Sequence, residues 1–373
     1  MERKIRILSF QNAYNFGAIS QAYGLQHTIK NLVYKDVKFI NYNPKYLSER
    51  YSPFLRKYIF PNKSIRGVLS WFISYPVFLV CRLRRNNSLR RSIKNLLEQT
   101  KNVVIDQNGL KNEEADILIC GSDQVWNTSL TGSFDPVFLG RGPYKYLGYT
   151  SSYAPSTELS ALTEEKAREL SSLLDGFKFV SVRETQIKVA LQKYTTRDIK
   201  VCVDPTILCG VDAFNAIASP RHDCNDYIVV YAYNPNDPLI IGLIKKIPNY
   251  QRYRVHTVLL DSNTLHGIFK RNIHSAITVQ DFLSYIKYAK YVVTNSFHGL
   301  AFSLLFEKNF NVAFCDGKYV RCLSLLQQLG IENRFVRCQE SIQWNDLDYS
   351  VINNRVNSIR DSSLDFIKTI LEG

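Results

Sequence analysis

The sequence holds no apolar run long enough to cross a bilayer, no internal repeat and no low-complexity tract. A membrane-spanning chain is therefore disfavoured, because a spanning helix needs roughly 20 consecutive apolar residues. There is no C-x-x-C pair, no G-x-G-x-x-G, no Walker A loop, no H-E-x-x-H and no G-x-S-x-G elbow. Those absences speak against paired-thiol zinc sites, dinucleotide and P-loop chemistry, zinc proteases and serine hydrolases. Glycine and proline are sparse, at 17 and 12 residues, which excludes a collagen-like repeat. A composition that is 45% hydrophobic and only 21% charged excludes disorder.

What is present is a large globular chain of 373 residues, 13% of them aromatic, with more core than one domain usually holds. Residues 1–10 are charged and then briefly apolar, without the hydrophobic region of a signal peptide. The expectation is a reduced, cytoplasmic protein. Its eight cysteines are scattered; Cys120 and Cys202 sit in apolar runs, where a free thiol packs as a small hydrophobe. Cys209, His222 and Cys224 form a loose grouping without metal-ligand spacing, so no metal is expected.

The net charge of +14 is unevenly distributed. Between Arg50 and Lys101 stand twelve Lys and Arg against a single acid, Glu98. Such a block reads either as a solvated helix face or as a site for an anionic partner, a membrane surface or an acidic saccharide. Nucleic acid is disfavoured, because Trp71, Phe72, Tyr75 and Phe78 lie in an apolar run rather than between the charges.

Short apolar runs alternate with helical patterns along the chain. Strands are predicted at 4–10, 37–41, 117–120, 146–149, 177–182 and 199–203, then at 227–231, 254–260, 291–294 and 311–314. Helices are predicted at 18–32, 163–174, 239–246, 279–289, 300–306 and 356–371. The alternation defines an α/β fold class with parallel sheets: two Rossmann-like domains facing a central cleft. Residues 1–210 are assigned to the first domain, with a mostly helical basic and aromatic insert at about 45–101. Residues 211–373 are assigned to the second, whose final helix can pack back on the first.

Ligands of such sheets bind at the carboxyl ends of strands. Five polar clusters fall there. Asn15-Phe16-Gly17-Ala18 opens a helix, and Gly121-Ser122-Asp123-Gln124-Val125-Trp126-Asn127 places a carboxylate beside a turn. Ser181-Val182-Arg183-Glu184 ends an apolar strand, where Arg183 is either an anion ligand or half of a buried ion pair. Asp204-Pro205-Thr206 can be a simple turn. Ser296-Phe297-His298-Gly299 sets a histidine at a helix start, structural or anion-facing. A bound anion there would favour the imidazolium, a cation able to donate a proton.

Taken in order, the Asn15–Tyr23, Gly121–Asn127, Ser181–Glu184, Asp204–Thr206 and Ser296–Gly299 segments resemble the polysaccharide pyruvyl transferase family over roughly residues 5–320. The resemblance implies a GT-B-like pair of Rossmann domains and transfer of pyruvate from phosphoenolpyruvate to a sugar as a ketal. It places the donor-binding arginine on Arg183, the catalytic histidine on His298 and a donor-binding lysine on Lys318, with Arg321 as rival. Asp123 and Asp204 take the acidic positions, Asp123 being favoured as base. Asn15, Gly17, Ser296 and Gly299 would complete the phosphoenolpyruvate site. No cofactor is implied, since phosphoenolpyruvate is itself the donor.

The insert matches no motif of that family. Its residues 68–81 carry no charge and are flanked by Arg66, Arg82, Arg84 and Arg85. They read as an interfacial anchor on an anionic inner-leaflet surface, with Trp71, Phe72, Arg82, Arg84 and Arg85 as contacts, or as a buried hairpin or oligomer contact. Pro76 argues against one continuous helix. A peripheral position would suit a lipid-linked acceptor of capsule or exopolysaccharide synthesis. Rival readings are a GT-B glycosyltransferase using a nucleotide sugar and a non-catalytic saccharide- or lipid-binding protein.

Overall fold

The computed structural model describes residues 3–33, 36–54, 65–260 and 272–373, with the backbone alone for 65–74. β1 (Lys4–Leu8), β2 (Asp36–Phe39), β3 (Glu114–Cys120) and β4 (Tyr146–Ser152) form a four-stranded sheet in the order β2-β1-β3-β4. β5 (Val180–Val182) and β6 (Ile199–Val201) make a separate parallel pair. The pair is tied to the edge of that sheet by Ser152 and Ser181, whose hydroxyls and backbone exchange hydrogen bonds of 2.9–3.0 Å.

The second half carries β7 (Tyr227–Ala232), β8 (Arg254–Leu259), β9 (Ile273–His274), β10 (Tyr291–Thr294), β11 (Asn309–Ala313) and β12 (Phe335–Val336). They form a six-stranded sheet in the order β12-β11-β10-β7-β8-β9. Every pairing in both sheets is parallel. The sequence explains this: β7 reads YIVVYA and is buried at every position, as a central strand covered on both faces must be. Two Rossmann-like α/β units across a cleft are the GT-B arrangement.

The first helix, Phe16–Val33, lies at the seam between the units and is buried over most of its length. Phe16 stacks on Phe282 at 4.9 Å and meets Tyr231 edge-on at 6.4 Å. Phe302 joins from the second unit, 5.7 Å from Phe282 and 4.9 Å from Phe214. Each such ring removed from water contributes about 1.5–3 kcal/mol, so the seam is a core rather than a loose contact. The final helix, Tyr349–Glu372, clamps both halves. Ser363 accepts from the Val203 N–H at 3.0 Å, Arg360 donates to the Leu208 carbonyl at 2.7 Å, and Arg355 donates to the Leu329 carbonyl.

The insert corrects two expectations. Its helix runs unbroken over Ile65–Leu96, straight through Pro76, which faces outward. One missing hydrogen bond on an exposed face is tolerated in so long a helix. Arg82 and Arg85 do not face solvent either, being 3% and 2% exposed. Arg85 donates to the carbonyls of Leu259, Leu260 and Ser275 at 2.8–2.9 Å, pinning the insert to the second unit. Arg82 donates to the Ser52 and Arg50 carbonyls at 2.9 and 2.7 Å. Neither guanidinium is available to a bilayer. The side chains of Trp71 and Phe72 lie outside the described residues.

Candidate active site

Strand ends of both units converge on one cavity of about 640 Å3. Its wall includes Asn15, Asp123, Ser296 and His298, from the strand ends singled out in the sequence, and Lys318. Tyr14, Tyr46, Arg50, Arg82, Arg85 and Asn86 also line it, so the insert forms part of the site. Among the described residues Asp123 is the sole acid of the lining, against Arg50, Arg82, Arg85, Lys318 and Arg321. A cavity lined in this way draws in anions.

Asn15 caps the first helix, its side-chain oxygen accepting from the N–H groups of Gly17 and Ala18 at 2.9 and 3.2 Å. Gly17 does not bind from the wall; its role is clearance. A β-carbon there would fall 2.0 Å from His298 Nδ1, so only glycine lets the first helix touch the imidazole. Gly17→Ala is therefore expected to lose at least tenfold in turnover while far-UV circular dichroism stays unchanged. Misplacing a reacting group by an ångström has cost of about that order or more. Full activity in that variant would remove Gly17 from the site. Gly299, expected as a donor-binding position, instead packs inward, where a β-carbon would meet Thr294 Oγ1 at 2.1 Å.

Asp123 sits in the left-handed backbone region, with φ of 73°, after Gly121 at 112°. Its carboxylate accepts from the Gln124 N–H at 2.9 Å, and its carbonyl from the Ser156 N–H at 2.8 Å. A non-glycine residue held there is strained and overdetermined by its surroundings, as functional residues often are.

Beneath the cavity floor lies an ionic cluster. Arg183 donates to Asp204 Oδ2 and, at 3.0 Å, to Glu184 Oε1, with all three side chains at most 4% exposed. Glu184 also accepts from Ser156 at 2.8 Å, while Asp204 accepts from the Thr206 N–H and hydroxyl at 2.9 and 2.7 Å. Burial would raise the Asp204 carboxyl, but Arg183, His298 and the Thr206 bonds outweigh it and hold the group below the usual carboxylate range. Arg183 and Asp204 thus do not line the large cavity. They border a smaller one of about 340 Å3, which shares Phe297 and Arg321 with the first.

His298 joins the two levels. Its Nε2 lies 3.8 Å from Asp204 Oδ2 and has no hydrogen-bond partner among the described residues. Burial, helped by Arg183 and Arg321, pushes the imidazole below its ordinary 6.5, and Asp204 and Asp123 offset this only in part. Around neutral pH this direction favours the neutral imidazole. Bringing an anion into the cavity would raise it. Lys318 pairs with Glu158 at 2.7 Å and sits over the Tyr233 ring at 5.4 Å. One turn on, Arg321 belongs to a helix, Tyr319–Leu329, that the sequence pattern did not single out.

The Cys209, His222 and Cys224 grouping does not assemble. Cys209 packs against Gly24, His222 pairs with Asp281 at 3.1 Å, and Cys224 is exposed.

The fold and site define an α/β protein of two Rossmann-like units with a cation-lined cavity and a histidine between them. The chain belongs to the polysaccharide pyruvyl transferase family, whose model matches residues 15–312. A comparison with curated proteins finds no match. Solved structures with a similar course include the Methanocaldococcus jannaschii UDP-GlcNAc 2-epimerase, at 9% identity and a TM-score of 0.48 over 100% of both chains. A Thermobaculum terrenum O-GlcNAc transferase mutant is 13% identical with a TM-score of 0.45, over 100% of this chain and 66% of that one. The Escherichia coli ADP-heptose lipopolysaccharide heptosyltransferase II is 10% identical with a TM-score of 0.35, over 96% and 99%.

Proposed function

We propose that this transferase moves pyruvate from phosphoenolpyruvate onto two hydroxyls of one sugar as a cyclic ketal, releasing phosphate. The observation that carries the reading is His298 placed in one cavity with Lys318, Arg321 and Asp123 on its wall. The donor carries a carboxylate and a phosphate, which fixed cations recognise. Lys318 and Arg321 take those groups, and Arg183 holds Asp204 and His298 in place from below.

As the donor enters, its charge raises the imidazole, and His298 delivers a proton to C3 of the enol. C2 becomes electrophilic, and an acceptor hydroxyl adds there as Asp123 takes its proton. The C2–O bond to phosphate breaks, and a second hydroxyl of the same sugar closes the ring. One of the two hydroxyl protons replaces the one given to C3, and the other leaves with phosphate. Holding donor and diol together supplies much of the rate. The acceptor on this reading is a lipid-linked repeat unit of a surface polysaccharide, such as a capsule or exopolysaccharide, assembled on the cytoplasmic side.

Calorimetric titration with phosphoenolpyruvate tests the donor. Lys318→Ala and Arg321→Ala should each weaken binding about tenfold to a hundredfold, the size of one charge-assisted hydrogen bond. Unchanged affinity in both variants, or binding of nucleotide diphosphates in place of phosphoenolpyruvate, would move the assignment to a glycosyltransferase.

A further inference from the structure

The insert helix has two sharply different faces. Phe78, Arg82, Arg85, Leu89, Ser92 and Ile93 recur at helical spacing and are all buried. The opposite face carries Pro76, Val80, Leu83, Arg84, Arg91 and Lys94, all exposed. Val80 and Leu83 are 45% and 41% exposed, large for apolar side chains on a described surface. Arg84 stands beside them on the same face, and Arg91 and Lys94 lie toward its other end. The acids nearest to them in sequence are engaged elsewhere, Glu98 with Lys30 and Glu49 with Lys45. Nothing acidic lies between Arg50 and Glu98 to neutralise the face.

We infer that this outer face docks on an anionic lipid bilayer. A polyanion such as nucleic acid or an acidic saccharide would use the cations and leave Val80 and Leu83 in water. A bilayer takes both, with headgroups against Arg84, Arg91 and Lys94 and the interface receiving Val80 and Leu83. No helix among the described residues is long and apolar enough to cross the membrane, so the contact is peripheral. The helix's other face lines the cavity through Arg82, Arg85 and Asn86, so the docking face points away from the cavity. Arg82 and Arg85 have no part in this contact, being engaged by backbone carbonyls.

The test is co-sedimentation of the full chain with phosphatidylcholine vesicles, with and without phosphatidylglycerol, at low and high salt. Binding is expected only with phosphatidylglycerol and should fall at high salt. The R84Q/R91Q/K94Q variant should bind about a hundredfold more weakly, since each cation near such a surface contributes a factor of roughly five. V80S/L83S should also weaken binding, and K193Q/K200Q/K245Q, equal in charge change but on other exposed surfaces, should not. All these side chains are exposed, so folding is retained. Binding without phosphatidylglycerol dependence, equal loss in the control, or wild-type binding by R84Q/R91Q/K94Q would each overturn the inference. So would the finding that the face holds two copies together, seen as dissociation of an oligomer by the same variant. Phosphoenolpyruvate affinity, read separately, should be unaffected by any of these changes.

Discussion

His298→Gln is expected to lose turnover by about 10²–10⁴-fold, the usual contribution of a positioned general acid, while still binding phosphoenolpyruvate. Glutamine keeps bulk and polarity at a site only 7% exposed, so the loss reports proton transfer rather than collapse. The pH profile of the wild type should show the same residue. In the free protein the imidazole is held below 6.5, mainly by burial. An acid that must be protonated therefore gives kcat/KM that falls as pH rises, with its inflection below 6.5. Bound donor adds negative charge and raises the imidazole, so the inflection in kcat should lie at higher pH than that in kcat/KM. Both limbs should vanish in the residual activity of His298→Gln. Activity close to wild type in that variant would end the acid assignment.

Arg183→Met is expected to destabilise the fold by about 3–5 kcal/mol, measured by urea unfolding, because it leaves buried carboxylates without their cation. Asp204 and Glu184 are 1% and 3% exposed and cannot be solvated in its place. The double variant Arg183→Met with Asp204→Asn should be less unstable than the sum of its parts, since the two side chains share one interaction. The stabilisation has a defined pH window. Asp204 is depressed from its ordinary 3.8, so its contribution is complete above that value and is lost as pH falls through the lower folded one. A loss under about 1 kcal/mol, typical of a surface pair, would show that the cluster is solvated and not a buried support.

The positions of the site clusters were legible because strand periodicity and strand-end polar residues are local signals. Ile117–Cys120 followed by Asp123, and Tyr291–Thr294 followed by His298, read correctly from apolar runs a few residues long. The two sides of the ionic cluster were also written in short motifs, but not which cavity each would face. Arg183 and Asp204 stand 21 residues apart, and whether a guanidinium meets a ligand or a carboxylate is decided by that packing. The insert was the least legible part. Arg85 finds its partners 174–190 residues away, a distance over which a run of arginines looks the same whether buried or exposed. Gly299 illustrates the converse. Its neighbours fit an anion-binding helix start, yet the close approach to Thr294 is what demands glycine.

The central claim is that pyruvate from phosphoenolpyruvate is joined to a saccharide in the cavity around His298. The most direct measurement supplies carbon-labelled phosphoenolpyruvate and a cell-derived lipid-linked saccharide fraction to the purified protein. Label should enter the saccharide with one phosphate released per label transferred, and mild acid should return it as free pyruvate. His298→Gln should incorporate almost none. Label that stays in phosphoenolpyruvate while a sugar from a nucleotide donor enters the same fraction would contradict the claim.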